Sequence, residues 1–355
     1  MTGHAPPRDE DAWIAAIARR FPAGGRVRVG IGHDAAVVRF DGRDVVLKTD
    51  TVIDGVDLRL ASCGPEAAAR KALAVTVSDL AAMAATPRAC VVSAVLPRGA
   101  SFALFDGLAR GLARAAKAFG CEVVGGDTSV ADAPLVLTVS AIGEPGPWGL
   151  LTRAGARPGD VLSVTGRLGG SLLGRHLTFR PRIREAQVLA RLDVPHAMMD
   201  LSDGLSTDLR RLCAQSRCGA EIDGARVPIH RDAVRMGGPR TPLEHALHDG
   251  EDFELLVAHR PLPPRVRAAL VRARVPLHPI GRVVAADAGI TILRDGLATP
   301  LLRGGYDHVA GRGGTPDPRT PLLTGGRGRT TSLPLPLPAP RRRRGGGGSP
   351  SPTRE

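Results

Sequence analysis

Six carboxylates stand at the ends of short apolar runs: Asp34 in GIGHDAAVV, Asp50 in VVLKTDT, Asp79 in AVTVSDLAAM, Asp127 in VVGGDTS, and Asp200 with Asp203 in MMDLSDGL. A buried carboxylate is costly unless it is paired or coordinated, so a hydrophobic core alone has no use for them. Acids at strand ends beside Gly, Ser and Thr suit oxygen-liganded divalent cations, above all Mg²⁺ carrying phosphates. One such motif would say little. Six in one chain point to nucleotide-dependent phosphoryl chemistry.

The chain has 355 residues, enough for two domains. It is 43% apolar but only 3% aromatic, so its core must be built mainly from Ala, Val, Leu and Ile. No apolar run reaches the roughly 18 residues that a membrane span needs, and no membrane association is expected. The start, MTGHAPPRDEDAW, lacks a basic segment followed by an apolar one, so no secretory signal is read there. Five cysteines without a CxxC pair fit reduced thiols in a cytoplasmic protein. The net charge of +13 is a poor guide to partners. Only Lys48, Lys71 and Lys117 are lysines, so 45 of the 48 basic residues are Arg, a bias of the kind GC-rich codons produce. Residues 312–355 hold nine Arg against Asp317 and Glu355, a net +7. With few aromatics to stack bases, sequence-specific nucleic-acid binding is not expected.

Residues 11–21 read as an amphipathic helix with Trp13, Ile14, Ile17 and Phe21 near one face. RVRVGIG, AAVVRF and VVLKTDT read as strands, the last two joined through DGRD as a hairpin. Residues 65–86 predict a helix opened by Pro65 and ended by Thr86-Pro87. CVVSAVLP is a strand, FALFDGLARGLARAAKAFG a helix closed by Gly120, and CEVVGGDT and PLVLTVSAIGEP are strands. After a change of composition near 147–151 come the strands VLSVTG and AMMD. The helix LSTDLRRLCAQSRCG follows, ending at Gly219. A strand GEDFELLVA, a helix over 265–274 and an edge strand over 290–294 complete the reading. From 312 on, the Gly, Pro and Arg composition predicts disorder, because too little apolar surface is available to offset ordering entropy.

Gly30-Ile-Gly32-His-Asp-Ala35 fits a dinucleotide fingerprint only superficially, because strand, turn and strand follow it where a helix is required. No P-loop lysine exists, since none of the three lysines follows a glycine. No kinase HRD or DFG set and no nucleophile elbow is present, and His196 and His245-x-x-His248 lack zinc-site spacing. Asp200-Leu-Ser202-Asp203-Gly204 is more informative: a strand ends and a helix begins, joining cation ligands to backbone N–H groups that bind anions. A plain N-cap at Ser202 or Asp203 would explain one of these residues. Gly125-Gly126-Asp127-Thr128 follows the same logic, with glycines permitting close backbone approach, or else it is a simple turn.

Taken in order, GIGHDAAVV, KTDTVIDGV, KALAVTVSDLAAMAATP, VVGGDTS, LTRAGARPGD, MMDLSDGLSTDL, GEDFELL and GYDH resemble the thiamine-monophosphate kinase family. That family lies within the superfamily of aminoimidazole ribonucleotide synthetase, selenophosphate synthetase and the hydrogenase maturation factor HypE. The resemblance runs from about residue 11 to 310. It implies an α/β fold (α+β type) of two domains, which the composition change near 147–151 and the Gly, Pro and Arg tail place at 1–148 and 149–311, followed by 312–355. It further implies a homodimer in which the N-terminal sheets of two subunits pair into a barrel, with ATP near the subunit interface. Asp34, Thr49, Asp50, Asp79, Asp127, Asp200 and Asp203 match Mg²⁺-binding positions. Gly126, Asp127, Arg153 and Ser202 fall where the family binds ATP, and Glu251 and Tyr306 where it contacts thiamine monophosphate. Arg153, Asp200 and Asp203 would carry the phosphoryl transfer. Three departures stand out: His33 replaces the first acid of a GDD motif, Asp57 replaces a substrate-side His, and Asp249 replaces the first Gly of GGED. An acid at 57 would be expected to repel a phosphate. It leaves open a sister enzyme with another small acceptor. His33 and the Arg-rich tail leave open a non-catalytic nucleotide-binding homologue.

Overall fold

The computed structural model describes residues 10–306. The segment 312–355 and the Asp307-His308 end of GYDH lie outside the described residues. Among the described residues thirteen strands form two mixed sheets. The first contains β1 (Val27–Val29), β2 (Ala36–Phe40), β3 (Arg43–Ile53), β4 (Thr86–Pro97), β5 (Glu122–Ala131) and β6 (Val136–Glu144), in the order β1-β2-β3-β6-β4-β5. Only β4 and β5 run parallel in it. The second contains β7 (Val161–Val164), β8 (Pro195–Asp200), β9 (Gly219–Asp223), β10 (Leu255–His259), β11 (His278–Val284), β12 (Ile290–Arg294) and β13 (Leu297–Pro300). Its order is β13-β12-β9-β11-β7-β10-β8.

The helices are α1 (Glu10–Arg20), α2 (Leu60–Ala82), α3 (Phe102–Phe119), α4 (Ile183–Arg191), α5 (Leu205–Ser216), α6 (Arg231–Met236), α7 (Pro242–His248) and α8 (Pro264–Arg272). The helix α2 is the central one. From Ala68 to Ala82 nearly every residue is buried, and most are Ala, Val or Leu. A helix apolar all round belongs inside a protein rather than on its surface. One side of α2 packs with Val46, Val52, Leu137 and Val139 of the first sheet. Its end, Ala82, packs with Leu189 of α4 and Met198 of β8. The same helix therefore touches both sheets, and small side chains let it approach closely.

The hairpin β2–β3 turns through Asp41 and Gly42, both at positive φ, as the DG pair predicts. α3 ends at Gly120 in the left-handed conformation. Four expectations shift. α2 kinks at Gly64 and ends at Ala82; Ala84 turns the chain at positive φ, and Thr86-Pro87 begin β4 instead of closing the helix. α5 ends at a left-handed Arg217, and Gly219 already belongs to β9. Residues 290–294 form an inner strand, because β13 pairs outside β12 and becomes the edge. In α1 no residue is buried, and Trp13, Ile17 and Phe21 are exposed, so the apolar stripe does not face a core.

α3 crosses α2 through two glycines one turn apart. A Cβ at Gly111 would sit 2.4 Å from the Glu66 carbonyl oxygen, and one at Gly107 would sit 2.5 Å from the Pro65 ring. Backbone cannot swing aside as a long side chain can. Gly111→Ala should therefore destabilise the protein by about 1–3 kcal/mol, the usual cost of overpacking, read as a lower denaturant midpoint at unchanged slope.

Candidate active site

The alternation of a strand and the period of a helix bring the acids together. On β3, Lys48 and Asp50 point to the side covered by α2, while Thr49 and Thr51 point away. On α2, Lys71, Val75 and Asp79 lie at four-residue spacing and all line one cavity. Asp34 enters from the loop before β2, and Asp200 from the end of β8. One carboxylate oxygen from each of Asp34, Asp79 and Asp200 lies within 4.8 Å of the others. All three residues are buried.

Their remaining bonds are sparse. Asp34 Oδ1 accepts from Arg153 Nη2 at 2.8 Å and Nε at 3.1 Å. Asp200 Oδ2 accepts from the Ser78 hydroxyl at 2.6 Å. The Lys48 ammonium bridges Asp79 at 2.8 Å and Asp50 at 3.1 Å. Asp34 Oδ2, Asp50 Oδ2 and Asp200 Oδ1 are buried with no hydrogen-bond partner. Burial, with Asp34 close by, pushes the Asp200 carboxyl up to about 7. Burial also holds Asp79 well above the ordinary carboxylate range despite Lys48. Buried oxygens without partners are costly, and this carboxylate set is of the type that could hold a cation.

The cluster forms one wall of a cavity of about 1180 Å³. Ser202 and Asp203 line it after the end of β8, and Glu251 and Tyr306 lie at the same end. The Asp203 carboxylate pairs with Arg211, whose guanidinium also takes Asp208 at 3.2 Å and Asp11 of α1 at 3.0 Å. Neither Ser202 nor Asp203 is the N-cap of α5. That position is Gly204, at φ 102°, and Asp208 accepts the Asp203 N–H at 3.0 Å. The Asp57 carboxylate lines the cavity while accepting the Ile53 N–H at 2.7 Å, so it closes the 53–57 turn. Its charge is thus partly engaged by backbone. Burial, with Asp57, Asp203 and Glu251 nearby, raises the Tyr306 phenol. His33 also lines the cavity, with Nδ1 buried and unpartnered and its pKa lowered by burial. Asp249 lines the cavity too, accepting from Gly170 N–H at 3.1 Å and Arg240 at 2.9 Å.

Gly126 and Asp127 are not gathered with the rest, and Thr49 borders the cavity while its hydroxyl turns to the other face of the sheet. The register Thr49↔Ser140↔Val91↔Gly125 puts Thr49 on the sheet face opposite α2, and Asp127, two residues beyond Gly125, on that same face. The Thr49 hydroxyl bonds Ser140 at 3.0 Å. Gly126 lies on the exposed strand β5, where a Cβ would meet the Val92 carbonyl oxygen at 2.0 Å. Close parallel pairing of β4 and β5 alone requires glycine there. Conversely, Lys48, Ser78, Lys71 and Arg211 belong to the site and were not among the candidates. Lys48 could have been found from its two-residue spacing to Asp50, and Ser78 only from a fold that brings α2 against β8.

Both halves of the chain match the AIR synthase related proteins. The N-terminal domain model of that family matches residues 32–144 and the C-terminal domain model matches 151–294. The thiamine-monophosphate kinase of Rhodopirellula baltica is 40% identical over 290 residues, covering 77% of this chain and 88% of that protein. The thiamine-monophosphate kinase of Escherichia coli K12 is 34% identical over 310 residues, covering 80% and 93%. A solved structure described as AaThiL complexed with AMPPCP and TMP superposes with a TM-score of 0.74 at 27% identity, covering 87% of this chain and 99% of that one. The HypE structure in complex with ATP shares the fold, with a TM-score of 0.60 at 21% identity. The chain belongs to the thiamine-monophosphate kinase family.

The raised Asp200 pKa sets a pH dependence. Its folded value, about 7, exceeds the ordinary 3.8, so the folded state holds a proton that the unfolded state releases. That stabilisation is complete below the unfolded value and is lost as pH rises towards 7. In the absence of divalent cations the melting temperature should fall between pH 5 and pH 8. Asp200→Asn should reduce this slope, as read from melting temperatures across the same pH range.

Proposed function

We propose that this protein transfers the γ-phosphoryl group of ATP to thiamine monophosphate, giving ADP and thiamine diphosphate. The observation that carries the reading is the buried set Asp34, Asp79 and Asp200, with its unpartnered oxygens, opening into a cavity of about 1180 Å³. A chain of 34–40% identity to named thiamine-monophosphate kinases supports the substrate.

The residues fit Mg²⁺. The donors are all carboxylate oxygens, the type that hard cations prefer, and three of them lack other partners. Asp34, Asp50, Asp79 and Asp200 would hold the ions. When bound, Mg²⁺ supplies charge neutralisation and in-line orientation of the phosphates. The chain's own residues do the rest. The acceptor is a phosphate oxygen, ionised near neutral pH, so no general base is required of the protein. Ser78 and Arg153 orient Asp200 and Asp34 by hydrogen bonds to one oxygen of each, leaving the other oxygen towards the cluster. Arg153 spends Nε and Nη2 on Asp34, and its remaining Nη1 donors suit a phosphate oxygen. Lys48 limits the mutual repulsion of Asp50 and Asp79.

A homodimer is part of this reading. The exposed face carrying Thr49, Asp127, Val91 and Ile142, together with the exposed edge strand β5, is the surface a second subunit would cover. Such a partner would bring Asp127 and Gly126 to a nucleotide site from across the interface. A cytoplasmic location is also part of it, supported by five free thiols. Among the described residues no helix is long and apolar enough to cross a membrane.

Mass detection of thiamine diphosphate from purified protein, ATP, Mg²⁺ and thiamine monophosphate tests the reaction directly. ADP release with a different phosphorylated acceptor, and none with this one, would assign the cleft to a sister activity. Asp200→Asn should lower turnover at least about a hundredfold, as for loss of one preorganised charge-stabilising group. An unchanged rate in the folded variant would remove Asp200 from the machinery.

A further inference from the structure

We propose that Lys71 is a positioning residue for the phosphate acceptor: its enclosed ammonium ties the Glu251 carboxylate and the Asp57 backbone into one fixed wall. The inference rests on the thiamine-monophosphate reading of the cleft.

Lys71 is fully buried. Its Nζ donates to the Asp57 carbonyl oxygen at 2.6 Å and to the Glu251 carboxylate. These two partners come from opposite parts of the chain, one from the turn after β3 and the other from the loop before β10. Both residues line the acceptor end of the cavity. A buried cation with a single carboxylate partner is an expensive element, and apolar residues of similar volume would often stabilise a core as well. Its presence calls for a role other than packing.

Glu251 shows what is held. Its backbone stands at φ 58°, the left-handed region that residues with a side chain seldom adopt. Every handle on the residue is occupied. Its N–H donates to the Ser202 carbonyl at 2.6 Å, its carbonyl accepts the Ser171 hydroxyl at 2.5 Å, and its carboxylate takes Lys71. Gly250, at φ 75°, lets this loop lie on Ser202 and Asp203, where a Cβ would fall 2.7 Å from the Ser202 carbonyl oxygen. The Glu251 loop is thus fastened to the Asp200–Asp203 turn by backbone and to α2 by Lys71. Because Asp79 lies two turns further along α2, the acceptor wall and the acidic cluster are spaced by one rigid helix. Positioning of this kind governs how often the acceptor phosphate meets the γ-phosphoryl group in line.

Lys71→Met keeps most of the length of the unbranched side chain and removes its charge. The KM for thiamine monophosphate should rise about tenfold or more, as expected when a charge-assisted hydrogen bond is lost, while the KM for ATP stays within about twofold. Glu251→Gln should produce a similar rise, and the double variant should be no worse than the worse single one, the signature of two residues acting as a unit. The double variant also removes the uncompensated buried carboxylate, so it reports on the pair even where Lys71→Met folds poorly. Lys71→Arg should fail to restore the wild-type KM, because a guanidinium does not fit the space of an ammonium. Equal changes in both KM values, or a fall of kcat with melting temperature at constant KM, would overturn the positioning role. So would additive effects in the double variant. A wild-type enzyme that turns over no thiamine monophosphate would instead overturn the substrate reading, and this proposal with it.

Discussion

Charge burial is the constraint on which the rest of the structure depends. Asp34, Asp79 and Asp200 are brought together out of water, with Asp50 attached through Lys48. Four acids in such a place repel one another, and the interior offers little screening. The fold answers by placing one cation against each side of the group, Arg153 on Asp34 and Lys48 between Asp50 and Asp79. These contacts need β3, α2, β8 and the 151–155 segment in fixed relation. The Ala-rich body of α2 makes that possible, since a helix with small side chains can lie close to two sheets at once.

Much of this was legible in the chain itself. The apolar runs of β2 to β6 and β7, the DG hairpin and the Gly120 stop follow local rules, and the structure has them. The acids at strand ends pointed to a phosphate and cation site, and most of them do line one cleft. The second half was harder to read. α4, α6 and α7 are short, and β13 has only four residues, so none fills the window of roughly 11–18 residues over which a period can be told. The exposed stripe of α1 shows the limit of periodicity: Trp13 and Ile17 are spaced as a buried face would be, yet the helix turns Asp11, Ile14, Ala15 and Ala18 to the cavity.

Which side of a sheet a residue faces is also not a local property. Thr49 and Asp50 are neighbours in the chain and turn their side chains to opposite faces, so a motif naming both presents two different surfaces. The lysines carry a clearer message in retrospect. In a chain where 45 of 48 basic residues are Arg, two of the three lysines are found at this cleft. A compact ammonium with three rotatable donors can sit between oxygens of different segments of the chain, and the broad planar fork of Arg cannot replace it there. Rarity of a residue type within one composition was therefore a usable signal.

The attachment of α2 to both sheets bears on how the cleft can breathe. A cleft between two independent lobes could open by rotation about a linker, as hinge enzymes do. Here Ser78 on Asp200, Arg70 on the 177 carbonyl and Lys71 on Glu251 stitch the lobes along the length of one helix, so the floor of the cleft has little freedom to part. The roof is different. α1 buries none of its residues and is moored to Arg211 through the carboxylates of Asp11 and Glu10, with Arg303 also on Asp11. Exchange of ligands would then be gated at the roof, by a helix held through charge and therefore sensitive to ionic strength.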